Sequence, residues 1–257
     1  MARLQLQNIE KYFFTGSDIV EAIRNVNLEV DDGEFVSIIG PSGCGKTTIL
    51  SMIAGLTTPS SGDVEFDGAK VTSQTTNIGY MLQQDYLFPW LTIGDNINIG
   101  LDITRTKTKE NEDYAKDLLD QMGLLRHIDQ MPSELSGGMR QRAALVRTLA
   151  AKPSLLLLDE PFSALDYQTK LYLEDLIHET LKARKKTTVL VTHDISEAIA
   201  MSDRVILLSH RPSVVQEVFS IPTELRALTP LEARNHSEFQ WWFQTIWKEL
   251  ESLETTN

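Results

Sequence analysis

Residues 40–48 read GPSGCGKTT and follow the apolar stretch EFVSII. Gly40, Gly45, Lys46 and Thr47 fit the pattern G-x-x-x-x-G-K-[ST], whose chemistry is phosphate binding. Glycines let the backbone curl until several N–H groups point inward, and the helix that follows adds its positive end. Lys46 supplies a mobile cation for terminal phosphates, while the Thr47 hydroxyl can ligate Mg²⁺. Ser42, Gly43, Cys44 and Thr48 complete the candidate contacts. A plain Gly-rich turn is the bland alternative, but a strand before and a helix after favour the cradle. Cys44 reads first as a small filler. Its place by a helix start could also lower its thiol pKa, and alkylation is then expected to block nucleotide binding.

Two further strand ends carry reactive groups. LLLLDEP sets Asp159 and Glu160 side by side after an apolar run. Adjacent acids there are costly unless a cation or a reaction needs them. Asp159 suits the shell of Mg²⁺, and Glu160 suits a general base or a water-orienting role. VLVTHD ends in His193, a neutral imidazole able to hydrogen-bond a terminal phosphate or the attacking water. In LSGGMRQR, Ser136, Gly137 and Gly138 open a helix and leave amides at its positive end, a second anion site. An ordinary capped helix would read the same way.

The elements that must position these groups alternate between apolar runs and helical patterns, the mark of an α/β fold with a largely parallel sheet. EFVSIIG, SLLLLDE, TTVLVTH and RVILLS read as buried strands, and open α/β sheets place ligands at the carboxyl ends of such strands. LQLQNI, NLEVDDGEF and GDVEFDG alternate and turn at Gly or Asp-Gly, which predicts an antiparallel layer. Residues 91–153 read as a helical insertion, clearest over KTKENEDYAKDLLDQMGLL. Near the end, Phe239, Trp242, Phe243, Ile246, Trp247, Leu250 and Leu253 form one helical stripe, opened by a possible Ser237/Gln240 capping box.

Composition bounds the function. The chain has 257 residues, a formal charge of −12 and one cysteine. An acidic balance argues against nucleic acid as the main partner. The single Cys44 allows no internal disulfide and fits a reducing compartment. MARLQLQNIE lacks the apolar core of a signal peptide. No apolar run approaches the roughly 18 residues of a membrane span. Any membrane crossing is expected to fall to another subunit.

GPSGCGKTT, LSGGMRQR, LLLLDEP, SALD and VTHD, in that order, resemble the ATP-binding subunit of an ABC transporter over residues 1 to 215, leaving 216–257 as a helical extension. The resemblance implies a P-loop NTPase fold with a RecA-like parallel core, an antiparallel β layer and an inserted helical subdomain. It implies ATP and Mg²⁺ as ligands, with two copies facing head to tail, so that the second cradle closes on the partner's nucleotide. Carried over by residue, Gln83 of MLQQD matches the glutamine that links the nucleotide site to the membrane subunits. It joins Thr47 and Asp159 as a metal ligand; Gln84 is its neighbour and competitor. Asp166 of SALD matches the loop that meets the opposite protomer. Phe13 of KYFF is the choice for stacking on adenine, beside Tyr12 and Phe14. Leu82 departs from a more usual phenylalanine.

Pro89-Trp90 in LFPWLTIGDNI, together with EPFSALDYQTK, resembles importers of nitrate, taurine, aliphatic sulfonates and bicarbonate. The implied partners are a second copy, a transmembrane permease and, indirectly, a solute-binding protein, at the cytoplasmic face of the membrane. The alternative is an ABC ATPase outside transport, in DNA maintenance or cytosolic regulation. The former carries a long coiled coil or zinc module before the signature, and the latter joins two cassettes in one chain; neither feature is present here. A small-molecule kinase would not need LSGGMRQR.

Overall fold

A computed structural model describes residues 2–16, 18–75, 77–183 and 185–255. In chain order the elements are β1 (Ala2–Thr15), β2 (Asp18–Asp31), β3 (Phe35–Ile39), α1 (Lys46–Ile53), β4 (Ser61–Phe66), β5 (Ala69–Lys70), β6 (Ile78–Met81), α2 (Ile93–Ile103), α3 (Lys109–Gln121), α4 (Gly137–Ala150), β7 (Leu155–Asp159), α5 (Tyr167–Ala183), β8 (Thr187–Val191), α6 (Ile195–Met201), β9 (Arg204–Leu208), β10 (Val215–Ser220), α7 (Thr223–Arg226), α8 (Pro230–Arg234) and α9 (Phe239–Thr255). They form two compact units, one made of Met1–Thr75 with Glu174–Asn257 and the other of Thr76–Leu173.

The first unit holds two sheets. β1 and β2 are antiparallel from Ala2↔Asp31 to Thr15↔Asp18, and β4 and β5 extend the layer beyond β1. Val26, Leu28 and Val30 of β2 are buried at every second position, as a sheet with one wet face requires. In the other sheet β3 lies between β8 and β9, parallel to both, and β10 pairs antiparallel with β9. Every residue of β3 and of β8 is buried, which explains their largely apolar sequence, with Ser37, Thr187 and Thr188 the buried polar exceptions.

The end of the chain belongs to this core. Phe239 and Ile246 of α9 are buried in one cluster with Ile195, Ala198 and Ile199 of α6, and Trp242, Phe243, Leu250 and Leu253 pack against it. Trp247, expected in the same stripe, is exposed instead and stacks on Phe243 at 6.2 Å between ring centroids. Nor does the Ser237/Gln240 box open the helix. α9 starts at Phe239, with Trp242 N donating to Glu238 O at 3.2 Å. Polar contacts tie this segment to α5: Leu231 N donates to Asp175 Oδ1 at 2.9 Å, and Arg234 Nη1 pairs with the fully buried Glu174 Oε2 at 2.6 Å.

In the second unit β6 and β7 pair in parallel, and the expected helices are α2, α3 and α4. Thr92 caps α2 through Asp95 N at 3.1 Å, and Thr108 caps α3 through Asn111 N at 3.3 Å. Ala115, Leu118 and Leu119 are the buried face of α3. β6 is four residues long, mostly half-buried and without alternation, so the sequence offers no period by which to see it.

Removing a cation paired with a fully buried carboxylate is strongly destabilising. Arg234→Ala should therefore lower unfolding stability by about 3–5 kcal/mol in urea denaturation. A second change, Glu174→Met, should restore much of that loss. A single-variant loss below about 1 kcal/mol, the scale of an exposed pair, would show that the pair does not anchor the segment.

Candidate functional site

In the first unit the phosphate loop leaves the carboxyl end of β3. Gly40 has φ 155°, and a Cβ there would lie 2.8 Å from Leu208 O and 3.1 Å from Cys44 Sγ, so only glycine lets the loop pass. Gly45 caps α1 at φ 118°, and no side chain accepts from the first-turn amides. Lys46 is 9 % exposed and folds back on the loop, its Nζ donating to Gly40 O at 2.8 Å and Pro41 O at 3.0 Å. Those carbonyls hold the ammonium in place of an anion. Ser42, Gly43 and Thr47 are exposed and Thr48 is half-buried. Cys44 is 1 % exposed, and its carbonyl accepts a hydrogen bond from Ser213 Oγ, so a thiol reagent must first open the loop.

On the same unit Phe13 is exposed, with Lys11 Nζ 5.2 Å from its ring centroid. Phe14 is more exposed still, whereas the Tyr12 hydroxyl is engaged by Glu10 and Glu21 at 3.5 and 3.4 Å. His193 is exposed in the turn after β8. Asp194 then caps α6, its Oδ1 accepting from Ser196 N at 2.8 Å and Glu197 N at 3.2 Å.

In the second unit β7 ends at Asp159, which is 1 % exposed and receives the Tyr80 hydroxyl at 3.5 Å. Glu160 follows at φ 48°, a left-handed conformation rare for a side-chain-bearing residue and typical of functional strain. Several bonds hold it there. Gln83 Nε2 donates to Glu160 Oε2 at 3.1 Å, while Glu160 O accepts from Ser163 Oγ at 3.0 Å and Gln141 Nε2 at 3.3 Å. Between the two neighbouring glutamines, Gln83 is the one bonded to this carboxylate.

Gln141 was not singled out by the motifs, although it stands inside LSGGMRQR. It is 4 % exposed, and its Oε1 also accepts from Ala164 N at 3.1 Å. One amide thus joins the signature helix to both ends of the turn after Glu160. Ser136 caps α4 by accepting from Met139 N at 3.3 Å, which leaves its hydroxyl proton available to an anion. A Cβ at Gly138 would sit 3.2 Å from Leu165 Cδ2. Asp166 caps α5, and the Thr169 N–H, at 3.0 Å from its Oδ1, holds the carboxyl below the usual range.

The segment after Gln83 is fixed from beneath. Asn96, fully buried, accepts from Phe88 N at 2.7 Å and donates to Phe88 O, Leu91 O and Thr92 O. Arg147 donates to Tyr86 O and Asp85 O, each at 2.8 Å, and Arg140 pairs with Asp85 at 2.9 Å. Burial pushes the Arg147 pKa down, with Asp85 opposing it. Tyr86 and Trp90 remain exposed on this braced loop, and Phe88 tilts against Trp90 at 5.5 Å. The asparagine was invisible in sequence because its role depends on carbonyls whose exposure only the fold reveals. Among the described residues no group of three or more His, Cys, Asp and Glu could hold a metal alone, so any ion here needs hydroxyl, water or phosphate oxygens as well.

Comparison with known proteins fits this geometry. A family model described as ABC transporter matches residues 23–163. An uncharacterized ABC transporter ATP-binding protein, YtlC of Bacillus subtilis, is 54 % identical over 99 % of this chain and 98 % of its own. The nitrate import ATP-binding protein NrtD of Synechocystis is 39 % identical, covering 85 % and 82 %. The aliphatic sulfonates import ATP-binding protein SsuB of Bacillus anthracis is 38 % identical, covering 84 % of each. A dimeric post-hydrolysis structure of the ATP-binding cassette MJ0796 with ADP and Pi matches at TM-score 0.78 and 34 % identity, over 85 % of this chain and 99 % of that one.

Replacing Gln141 by Leu would leave the Ala164 N–H without its buried partner. The variant should lose about 1–3 kcal/mol of stability in urea denaturation. It should also lose nucleotide turnover, with ADP affinity unchanged by fluorescence titration. Full turnover in Gln141→Leu would show that the turn after Glu160 holds itself.

Proposed function

Because the chain belongs to the ABC transporter family of ATP-binding proteins, we propose that it is the ATP-hydrolysing subunit of an importer for a small anionic or sulfonate-type solute. As an ABC ATP-binding chain it binds ATP and hydrolyses it to ADP and phosphate. Relatedness to nitrate and sulfonate import proteins over more than four-fifths of the chain is the observation that carries the importer reading. Among the described residues no helix is long and apolar enough to cross a membrane, so a separate permease would provide the path. The subunit would act from the cytoplasmic face, and a solute-binding protein would choose the cargo. The net charge of −12 gives no footing for nucleic acid.

Each residue has a chemical part in this reading. Gly40, Ser42, Gly43, Cys44, Gly45 and Thr48 shape the loop whose amides meet the phosphates, and Phe13 stacks on adenine. Lys46 exchanges its two carbonyls for the β and γ phosphates. Thr47, Asp159 and Gln83 would hold magnesium, which when bound neutralises charge on those phosphates. The exposed Thr47 hydroxyl and the Asp159 carboxylate are the hard oxygen donors that this ion prefers. Glu160 orients water and takes its proton, and His193 hydrogen-bonds the γ-phosphate.

A second copy supplies Ser136, Gly137, Gly138 and Asp166 to the same nucleotide. The dimeric cassettes among the structural relatives support this arrangement. ATP binding closes the pair and product release reopens it. The braced loop with Tyr86 and Trp90, continuous with Gln83, is the surface offered to the permease.

Glu160→Gln should retain ATP binding, lose hydrolysis by about 100- to 10,000-fold and accumulate as an ATP-bound dimer on gel filtration. Wild-type turnover in that variant would remove Glu160 from the mechanism. With its permease and binding protein in ATP-loaded vesicles, the wild type should accumulate nitrate or an alkanesulfonate. Uptake of neither would overturn the solute class while leaving the ATPase intact.

A further inference from the structure

Within the first unit, the ends of β3, β8 and β9 opposite the phosphate loop open on a second cavity. It measures ≈ 340 Å³, and its lining includes Phe35, His178, Lys182, Lys185, Lys186 and Arg226. An adjoining recess shares His178 and Lys182 and is completed by Ala227, Leu228 and Thr229 of the C-terminal segment. The volume lies in the range of small-molecule sites, roughly 300–1,000 Å³.

Charge and hydrogen bonding single this cavity out. On a chain of net charge −12, its wall carries three lysines and an arginine. The two acids in the wall are already engaged. Asp203 accepts from Arg226 Nη1 at 2.9 Å and from Phe35 N at 2.8 Å, and Asp32 pairs with Arg3. Lys182 Nζ donates to Arg226 O at 2.7 Å, which keeps its ammonium beside the opening. Phe35, Leu181 and Met201 give the wall an apolar part, and the Ser202 hydroxyl is engaged by Ser37.

His178 supplies the independent pointer. It is 8 % exposed and its Nε2 has no hydrogen-bond partner, although buried nitrogens nearly always have one. The ring bonds the Met201 backbone through its other nitrogen. Burial, with Lys182 adding to it, holds the imidazole below its usual pKa, so Nε2 is an acceptor at neutral pH. Arg226 Nε is likewise buried without a partner.

We propose that this cavity binds a small organic oxyanion that also carries a hydrogen-bond donor, its anionic group at the lysines and its donor on His178 Nε2. A hydroxylated carboxylate, sulfonate or phosphate on a compact apolar body meets all three demands of the wall. Because Arg226 is part of the wall and the residues after it line the adjoining recess, such a ligand would also clamp the C-terminal segment to the ATPase body. The site is distinct from the nucleotide loop and stands or falls independently of the importer reading.

The test uses the full chain saturated with ADP and magnesium, so that the phosphate loop is filled. By calorimetry, 4-hydroxybenzoate should bind saturably with one site per chain. Benzoate, which lacks the donor, and 4-hydroxybenzamide, which lacks the charge, should bind at least about tenfold more weakly, a factor of 1.4 kcal/mol or more. His178→Phe and Lys182→Met should each reduce 4-hydroxybenzoate affinity by at least that factor without changing ATP turnover. Lys185→Gln, on the exposed turn, gives a milder variant should either core change fail to fold, and it should also weaken binding. No saturable binding, equal affinity for all three probes, or unchanged affinity in Lys182→Met and Lys185→Gln would overturn the proposal.

Discussion

A polyphosphate can be held by a protein without burying many cations only where backbone N–H groups are left over, and the start of a helix is where they are left over. This constraint shapes both signature regions. At α1 the cap is Gly45, which contributes no side-chain acceptor, and Lys46 is turned onto the loop's own carbonyls. At α4 the cap is Ser136, which satisfies one amide and keeps a proton to give. One helix end is thus wholly open and the other half closed. The same physics is set at two strengths in one chain.

Much of this was legible in the chain. The loop at 40–48 and the acid pair after LLLL are local facts, written in adjacent residues, and the buried strands announce themselves by mainly apolar runs. What escaped notice was long-range polar pairing. Gln141 bonds across 19 and 23 positions to Glu160 and Ala164, and no periodicity marks it as different from any helical glutamine. Arg234 and Glu174 are 60 positions apart and look like solvated charges until the fold buries the carboxylate and draws the arginine onto it. The displaced start of α9 has the opposite cause: a plausible local cap at Ser237 gave way to the tertiary packing of Phe239.

The left-handed Glu160 illustrates what such pairings can hold in place. A non-glycine residue in that region is strained and stays there only if its surroundings insist. Here they insist through Gln141 and Ser163 on the backbone and Gln83 on the carboxylate. The carboxylate reports to the loop that ends in Trp90, while the carbonyl reports to the helix that begins at Ser136. Because Asn96 and two arginines stiffen that loop, a shift at one end has few soft contacts in which to dissipate.

The first compact unit is discontinuous in sequence, joining residues before 76 to residues after 173. During synthesis its opening strands must therefore wait, with apolar faces uncovered, while the whole intervening unit emerges. Ile246, a fully buried member of its core, leaves the ribosome only after that intervening unit. Nascent chains stalled short of that point would hold a phosphate loop whose supporting layer is unfinished, and would present themselves to chaperones rather than to nucleotide.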